Sequence, residues 1–240
     1  MNQYAFLLSS AVNTKFGIFN SQQRLQQTLE TVSSIRSRVP TAKIILIEMG
    51  GIPLTVEQEN VLKESTDHLI NFNHDPSVVE LYNSTDNWDI VKNVTEVMCF
   101  SRALTTLYEH TDLLDNVQRI FKISGRYTLT DDFDINYYEQ YKNHHHIVVS
   151  KCRSSQFPFN LTRVEKQFMS RLWSWPSTLT PEIISVYNQG LIYIQERILD
   201  GGYCDIEHML YKFLDHDKII EKDLVGVSGN IGPNGAEVKD

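Results

Sequence analysis

Residues 120–134 (IFKISGRYTLTDDFD) contain side chains that are well suited to binding a charged ligand. An apolar run typical of a buried strand surrounds Lys122, and a buried ammonium group needs a partner. Gly125 allows either a turn or a close approach of the backbone to a ligand. Arg126 offers a planar fork of donors that matches phosphate, but a salt bridge to a nearby aspartate would use the same donors. The stretch therefore predicts either a phosphate site or a polar turn.

Two aspartates near the end of this stretch raise the question of a metal ion. Asp132 and Asp134 are separated by one residue. Carboxylates at this spacing can share a hard cation, such as Mn²⁺ or Mg²⁺, that also binds a diphosphate. Aspartate is equally common in turns, where it accepts hydrogen bonds from the backbone. Both interpretations stay open at this point.

The elements around these residues predict an α/β fold. Four compact apolar runs in the first half are predicted strands: Tyr4–Ser10, 42–51, 68–72 and 118–124. Helix-period patterns separate them, so we expect a parallel sheet covered by helices on both faces. Ligands bind such sheets at the carboxyl ends of the strands. Those ends carry Ser9, Ser10, Glu48 and the turn at residues 124–126.

The remaining segments are less regular. Residues 73–93 are polar and irregular, and we predict a long loop there with one helical turn, which in an α/β domain is more often functional than idle. In the second half we predict strands at 144–154 and 167–175 and helices at 180–202 and 205–214. Trp173 and Trp175 would share one face of a strand, where they either stack on a sugar or, in the favoured interpretation, fill the core.

Charge and composition exclude several classes of function. The 240 residues carry a net charge of -8, which disfavours binding nucleic acid through bulk electrostatics. The three cysteines are far apart and indicate neither a disulfide framework nor a CxxC metal site. No apolar run approaches 18 residues, so we predict no membrane span. The first residues lack a basic segment and favour a strand over a secretion signal, and we therefore expect the cytoplasm.

This layout resembles that of nucleotide-sugar glycosyltransferases of the GT-A fold. The resemblance covers most of the chain, but few of its motifs are individually specific. It rests on five segments, namely LLSSAVNT, IILIEMG, KNVTEVMCFSRAL, IFKISGRY and DIEHMLYKF. The string FKISGRY also looks like one found in polysaccharide-type transferases.

The resemblance implies a fold and an activity. It implies one α/β domain over residues 1–240, with a mainly parallel central sheet, a nucleotide-binding half (1–135) and an acceptor-binding half (136–240). The implied activity is transfer of a sugar, of the hexosyltransferase type, from a nucleoside-diphosphate sugar to a glycan or another hydroxyl acceptor.

The resemblance also implies roles for individual residues. Ser9 and Ser10 would lie near the nucleotide, Glu48 would hold the nucleoside, and Glu207 would be the base that accepts the acceptor's proton. A base is needed in an inverting transfer, and cations or donors must stabilise the departing diphosphate. The alternative for Glu207 is a solvated glutamate in the first turn of a helix, where its negative charge interacts favourably with the positive end of the helix dipole.

The chain departs from the family where the diphosphate would lie. The usual Asp-x-Asp after the fourth strand is replaced by Ser-Gly-Arg at 124–126. Either Asp132 and Asp134 supply a metal site, or Arg126, with Lys122 and the backbone at Gly125, binds the diphosphate directly. We favour the second, because Arg126 lies nearest to the expected diphosphate.

Two other functions remain as alternatives. A nucleotidyltransferase on a similar sheet would need a glycine-rich, basic loop after the first strand, and SSAVNTKFG offers only Lys15 and Gly17. A non-catalytic protein that keeps the fold and binds a sugar, a nucleotide or a partner is the second alternative, and the missing Asp-x-Asp favours it.

Overall fold

The structure is a computed structural model that describes residues 3–141, 145–232 and 234–240. Its strands are β1 (Tyr4–Ser10), β2 (Lys43–Glu48), β3 (His68–Asn71), β4 (Arg119–Ser124), β5 (Tyr127–Leu129), β6 (Ile147–Ser150), β7 (Arg153–Ser154), β8 (Lys166–Gln167), β9 (Leu172–Pro176), β10 (Ile219–Lys222), β11 (Val227–Asn230) and β12 (Glu237–Lys239). Its α-helices are α1 (Ser21–Arg38), α2 (Val56–Ser65), α3 (Pro76–Ser84), α4 (Trp88–Glu109), α5 (Ile135–Glu139), α6 (Phe159–Thr162), α7 (Thr180–Leu199) and α8 (Ile206–Phe213).

A seven-stranded sheet organises the chain, with strand order β10-β6-β9-β4-β1-β2-β3. Strands β4, β1, β2 and β3 are parallel neighbours, as the sequence predicted. Strand β9 is antiparallel to both β4 and β6. The first half of the chain thus supplies β1 to β4, and the second half adds β6, β9 and β10 to the same sheet. The predicted α/β architecture with a mainly parallel sheet is confirmed.

Helices cover both faces of this sheet. Strand β1 is buried along its whole length, and its side chains alternate between two cores. Leu7 packs in the core that includes α4, α7 and α8. Phe6 packs in the core that includes α1 and α2. Burial on both faces explains why the strand is a continuous apolar run.

The predicted loop at residues 73–93 is wrong, because the segment is mostly helical. Helix α3 begins after Asp75, whose carboxylate accepts from the amides of Ser77 (2.9 Å) and Val78 (3.3 Å), with proline at the first helical position. Helix α4 begins after Asn87, which caps the amide of Asp89 at 3.0 Å. Polar capping residues and proline obscured the starts of two helices, and α4 begins only a few residues after α3 ends.

The second half differs from the sequence prediction at its boundaries. His144, at the start of one predicted strand, lies outside the described residues, and the segment that follows is divided between β6 and β7. Trp173 and Trp175 are 1% and 0% exposed, and their ring centroids lie 4.6 Å apart. The core interpretation is therefore confirmed. Within the described residues, no helix has both the length and the apolarity that crossing a bilayer requires.

Candidate functional site

A pocket of about 660 Å³, open to solvent, lies at the carboxyl ends of β1 and β4. The loops after β1 and β2, the start of α1, the end of α3 and the first half of α4 form its other walls. Its lining includes small polar, aromatic and cationic side chains and one glutamate: Ser9, Ser10, Thr14, Phe16, Arg24, Tyr82, Trp88, Lys92, Thr95, Glu96, Ser124 and Arg126. Three predicted donor-binding residues, Ser9, Ser10 and Arg126, are thus brought together.

Close contact between the ends of β1 and β4 places Arg126 at the pocket. Ser9 and Ser124 are partners in the β1–β4 register, and the amide of Gly125 donates to the carbonyl of Ser9 at 2.8 Å. A side chain at Gly125 would bring its first carbon within 3.2 Å of that carbonyl and of the Thr28 hydroxyl on α1. Gly125 lies beneath the pocket and lets the chain turn, and it does not line the pocket.

Two guanidinium groups lie side by side in this pocket. Arg24, on α1, is 5% exposed and donates to the carbonyls of Phe16 (2.9 Å) and Phe19 (3.2 Å). Burial and the neighbouring charge of Arg126 lower the pKa of Arg24 to about 10. The buried Nε of Arg126 has no hydrogen-bond partner within the described part of the chain. Neither guanidinium forms an ion pair with a carboxylate of the described residues, and two adjacent cations of this kind suit an anion.

Lys122 has a structural partner and does not line the pocket. Its fully buried ammonium donates to Glu96 Oε1 (3.0 Å), Ser124 Oγ (2.9 Å) and the carbonyl of Ser170 (3.0 Å). These three bonds satisfy the donors of an ammonium group. Burial raises the pKa of Glu96, but Lys122 and Lys92 outweigh it and the pKa is lowered overall. Lys122 therefore keeps Glu96 ionised at the pocket wall.

Glu48 is also a support of the pocket. Its side chain is fully buried, and Oε1 accepts from the amides of Val12 (3.0 Å) and Gly50 (3.2 Å). It thereby joins the loop after β1 to the loop after β2. Burial raises the pKa of this carboxyl group above its usual value. Glu48 shapes the loops that border the pocket, and its carboxylate is not part of the lining.

Aromatic side chains form the wall opposite the strand ends. Phe16 meets Trp88 edge-on at 5.6 Å and Tyr82 at 5.8 Å between ring centroids. The Tyr82 hydroxyl donates to Thr14 Oγ1 at 2.8 Å, which ties α3 to the loop after β1. Lys15, the only lysine of that loop, donates to Asp86 at 2.7 Å and is not part of the lining. An aromatic wall beside cations suits a planar base attached to an anion.

Glu207 lies beside the cationic end of the pocket. It is the second residue of α8, and its Oε1 accepts from Ser170 Oγ at 2.6 Å. Burial, followed by the charge of Asp205, raises the pKa of Glu207. Burial lowers the pKa of Lys92, but Glu207, Glu96 and Asp205 together raise it above its usual value. A carboxylate with a raised pKa next to an ammonium group is suited to accepting a proton.

Asp132 and Asp134 are not brought to this pocket. Asp132 pairs with Lys239 on β12 at 2.7 Å, and Asp134 caps α5 through the amide of Asn136 at 2.9 Å. The adjacent Asp131 pairs with Arg38 at the end of α1, whereas the pocket lies at the start of that helix. The chain continues after Gly125 into β5, which belongs to a separate three-stranded sheet, and both aspartates follow that strand, away from the pocket.

The residues of the pocket do not fit a divalent cation. Of the residues that the structure describes, Glu96 alone brings a carboxylate to the lining, and this carboxylate is bonded to Lys122. No group of three or more His, Cys, Asp or Glu side chains among the described residues is arranged to hold a metal ion. Mn²⁺ and Mg²⁺ prefer several oxygen ligands. The donors present here suit an anion instead.

Sequence reasoning missed several residues of the pocket. Lys92 and Glu96 lie four residues apart on α4, and Lys92 falls within the segment 73–93 that the sequence predicts to be a loop. With Trp88 and Thr95 they form a stripe of polar and aromatic residues on a helix that is otherwise apolar on its inner face. That stripe was a usable signal. Arg24 had no local signal, because one arginine on an amphipathic helix is unremarkable.

Comparison with known proteins bears on the fold. No protein-family model matches the chain, and no curated protein matches it. Core-mannan synthase A (CmsA/Ktr4) from Aspergillus fumigatus, in its Mn/GDP form, is 10% identical, with 98% of this chain and 77% of that chain covered and a TM-score of 0.50. The mannosyltransferase Ktr4p from S. cerevisiae is 11% identical, with 91% of this chain and 68% of that chain covered and a TM-score of 0.52. Together with the strand order, this similarity shows that the chain has the GT-A-like fold that its sequence predicted.

Proposed function

We propose that this protein is a glycosyltransferase that moves a sugar from a nucleoside-diphosphate sugar to a hydroxyl group of an acceptor. The observation that carries the proposal is the pair of guanidinium groups, Arg24 and Arg126, beside an aromatic wall at the carboxyl ends of β1 and β4. A diphosphate would neutralise the two cations, and a base would lie against the rings of Phe16, Tyr82 and Trp88. In this assignment residues 1–135 supply most of the nucleotide site and residues 136–240 supply the acceptor side.

The proposed reaction needs a base and a stabilised leaving group. The acceptor oxygen forms a bond to the anomeric carbon while the bond from that carbon to the diphosphate oxygen breaks. Glu207 accepts the proton of the acceptor hydroxyl, for which its raised pKa is suitable. Arg24 and Arg126 stabilise the negative charge that develops on the diphosphate. Lys92 lies between these groups and keeps Glu207 and Glu96 from repelling the diphosphate.

The guanidinium pair also bears on the question of metal dependence. The Mn/GDP form of core-mannan synthase A makes GDP and Mn²⁺ the first ligands to test. The pocket of this chain offers cationic side chains where a metal site would need carboxylates. We therefore infer that donor binding depends on Arg24 and Arg126 more than on Mn²⁺ or Mg²⁺. Asp132 and Asp134 have no part in this proposal.

The finer assignments are also part of the proposal. We propose a hexosyltransferase acting in polysaccharide synthesis, because the two similar enzymes are named as a mannan synthase and a mannosyltransferase. All three cysteines are free thiols, which suits the cytoplasm.

Replacing Arg126 with alanine tests the proposed donor site. We expect the Kd for GDP to rise about 10- to 100-fold, since hydrogen bonds to charged groups contribute about 1.5–3 kcal/mol. Isothermal titration calorimetry with GDP and UDP, with Mn²⁺ and with EDTA, measures this change. The matched control is Arg38→Ala, which removes a guanidinium at the far end of α1, where it pairs with Asp131.

The outcomes separate the candidate functions. Binding of a nucleotide in EDTA that Arg126→Ala weakens and Arg38→Ala does not supports the proposal. Binding only with Mn²⁺ would contradict the proposed role of the arginines. If no nucleotide binds under any condition, the transferase proposal fails and the non-catalytic alternative replaces it. Release of nucleoside diphosphate from a panel of nucleotide sugars then tests turnover.

A further inference from the structure

One short segment, residues 168–171, joins the proposed base to the end of β4. The amide of Ser124 donates to the carbonyl of Arg171 at 3.1 Å, and the buried ammonium of Lys122 donates to the carbonyl of Ser170 at 3.0 Å. Strand β9 follows this segment directly and pairs with β4. The segment 168–171 is therefore fixed against the strand that leads to the donor pocket.

The same segment holds Glu207 at two points. The amide of Phe168 donates to the carbonyl of Glu207 at 3.2 Å, which ties down the backbone at the start of α8. The hydroxyl of Ser170 donates to Glu207 Oε1 at 2.6 Å, which ties down the side chain. Ser170 is only 6% exposed, and a hydrogen bond to an ionised group is among the strong ones in proteins. The place of the carboxylate relative to β4 thus depends on Ser170.

The bond from Ser170 puts the two oxygens of the Glu207 carboxylate in different surroundings. Oε1 accepts from Ser170, whereas no described residue donates a hydrogen bond to Oε2. Glu207 is partly exposed, although its neighbours in the first turn of α8, Ile206 and His208, are buried. Each carboxylate oxygen is an acceptor, so Oε2 is the one that can meet an acceptor hydroxyl.

An anchor of this kind matters because the carboxylate of a glutamate turns easily. The last torsion of the side chain is broad and has no sharp staggered wells. A reaction between bound groups requires the reacting atoms to be close and aligned. Lys92 attracts the charge of Glu207, but the hydrogen bonds of the described residues include none between these two side chains. Ser170 therefore supplies the direction that the charge of Lys92 does not.

We propose that Ser170 is a positioning residue for the transfer, whose hydroxyl turns the Glu207 carboxylate so that Oε2 receives the proton of the acceptor. This inference rests on the proposed transferase function. The acceptor oxygen bonds to the anomeric carbon, the electron pair of the breaking bond stays on the diphosphate, and the acceptor's proton passes to Oε2. Ser170 keeps its own proton throughout and acts only through Glu207.

Replacing Ser170 with alanine removes the anchor. We expect kcat to fall about 10- to 100-fold, the effect of losing one hydrogen bond to a charged group, with an unchanged Kd for GDP. Burial and Asp205 raise the pKa of Glu207, and the Ser170 hydroxyl opposes them by bonding the ionised form. Without that hydroxyl the pKa rises further, so the acidic limb of the pH profile of kcat should move to higher pH. Initial rates as a function of pH and calorimetry with GDP measure these changes.

Two further variants separate positioning from packing. Ser170→Thr keeps a hydroxyl and should restore most of the activity and the acidic limb of the wild type. Ser150→Ala is the matched control, because Ser150 is also buried, at the end of β6, and its hydroxyl has no hydrogen-bond partner within the described part of the chain. Ser150→Ala should change neither kcat, nor the acidic limb, nor the Kd for GDP.

Carbon-13 NMR of the glutamate carboxyl groups tests the anchor without turnover. The signal that Glu207→Gln removes belongs to Glu207, and its titration should move to higher pH in Ser170→Ala but not in Ser150→Ala. A titration that Ser170→Ala leaves unchanged would show that the hydroxyl does not bind the carboxylate, and the inference would be overturned.

The kinetic outcomes distinguish this inference from the proposed function. Turnover by the wild type with a normal kcat in Ser170→Ala overturns the inference and leaves the transferase in place. A lower kcat with an unchanged acidic limb, or a loss that Ser150→Ala shares, overturns it as well, because altered packing would explain either result. If the wild type releases no nucleoside diphosphate from any nucleotide sugar, the transferase proposal fails and the role of Ser170 fails with it.

Discussion

At the scale of single residues, Glu207 is held where its negative charge is disfavoured. Burial and Asp205 raise the pKa of its carboxyl group, although Lys92 and the Ser170 hydroxyl oppose them. A raised carboxyl pKa lowers the stability of the fold when the group is ionised. This loss is absent below the pKa of the unfolded chain, about 4.3, and grows as the pH rises through the folded pKa. The same environment that favours proton transfer therefore costs stability at neutral pH.

Glu207→Gln tests both consequences. We expect kcat to fall about 10²- to 10⁴-fold, with little change in the Kd for the donor, because the amide cannot accept the proton. We also expect the variant to unfold at a higher temperature than the wild type at pH 7 to 8, with the difference shrinking as the pH falls towards 4. Thermal unfolding as a function of pH measures this independently of the activity.

The control is Glu196→Gln, because Glu196 is an exposed glutamate on α7. Glu196→Gln should change neither kcat nor the unfolding temperature. Normal turnover by Glu207→Gln would show that another group is the base. If Glu207→Gln unfolded at a lower temperature than the wild type at neutral pH, the negative charge of Glu207 would not be unfavourable for the fold.

At the scale of secondary-structure elements, the position of Glu207 depends on how α8 packs on α7. Gly190 of α7 faces Met209 of α8, and a side chain at Gly190 would place its first carbon 2.1 Å from the sulfur of Met209. Met209 is fully buried. The absence of a side chain at Gly190 is what lets the two helices approach. A residue remote from the pocket thus positions the proposed base.

Gly190→Ala should therefore destabilise the protein and reduce its activity. Overpacking costs about 1–3 kcal/mol, whereas alanine in place of glycine in a helix gains about 1 kcal/mol. We expect the free energy of unfolding to fall by about 1 kcal/mol and kcat to fall more than the affinity for GDP. Urea denaturation and steady-state kinetics measure these changes.

Ile192→Ala serves as the comparison for that variant, because Ile192 lies on the exposed face of the same helix. We expect its free energy of unfolding to change by less than about 0.5 kcal/mol. An increase in stability for Gly190→Ala would mean that Met209 moves aside without cost and that the close approach is not needed.

At the scale of the whole molecule, a cationic pocket lies in an acidic protein. The chain has a net charge of -8, whereas the described lining of the pocket presents Arg24, Lys92 and Arg126 against one carboxylate, Glu96. Small anions can enter such a pocket, but a long polyanion would meet the acidic surface around it. The charge distribution thus favours a nucleotide over a nucleic acid.

This distribution predicts how binding responds to salt. Raising NaCl from about 0.1 M to about 1 M shortens the Debye length from about 10 Å to about 3 Å. We expect the Kd for GDP to rise several-fold over this range. We expect a 20-nucleotide single-stranded DNA not to bind at any of these NaCl concentrations. Fluorescence anisotropy measures both. An affinity for GDP that did not depend on the NaCl concentration, or an oligonucleotide that bound more tightly than GDP, would contradict the proposal that this cationic pocket binds a nucleotide.

The fold was largely predictable from the sequence because burial on both faces leaves a clear pattern. Strand β1 is fully buried, and its predicted and observed limits agree. The need of Lys122 for a partner was also predictable, because a buried ammonium group has few options. The segment 73–93 was mispredicted because its helix caps, Asp75 and Asn87, are residues that also favour turns.

The sequence by itself determined the order of strands β1 to β4 and of helices α1, α2 and α4 between them, since local periodicity and capping record which faces are buried. It also identified the turn that holds Arg126, because a strand that ends in glycine and arginine is a local signal. Only the tertiary structure decided that Arg24, from α1, lies beside Arg126. It also decided that Glu96 pairs with Lys122. Asp132 and Asp134 bond to other partners, away from the pocket. Contacts between distant segments depend on how the sheet and the helices pack, and no local pattern encodes them. The charge of the pocket is a property of that packing.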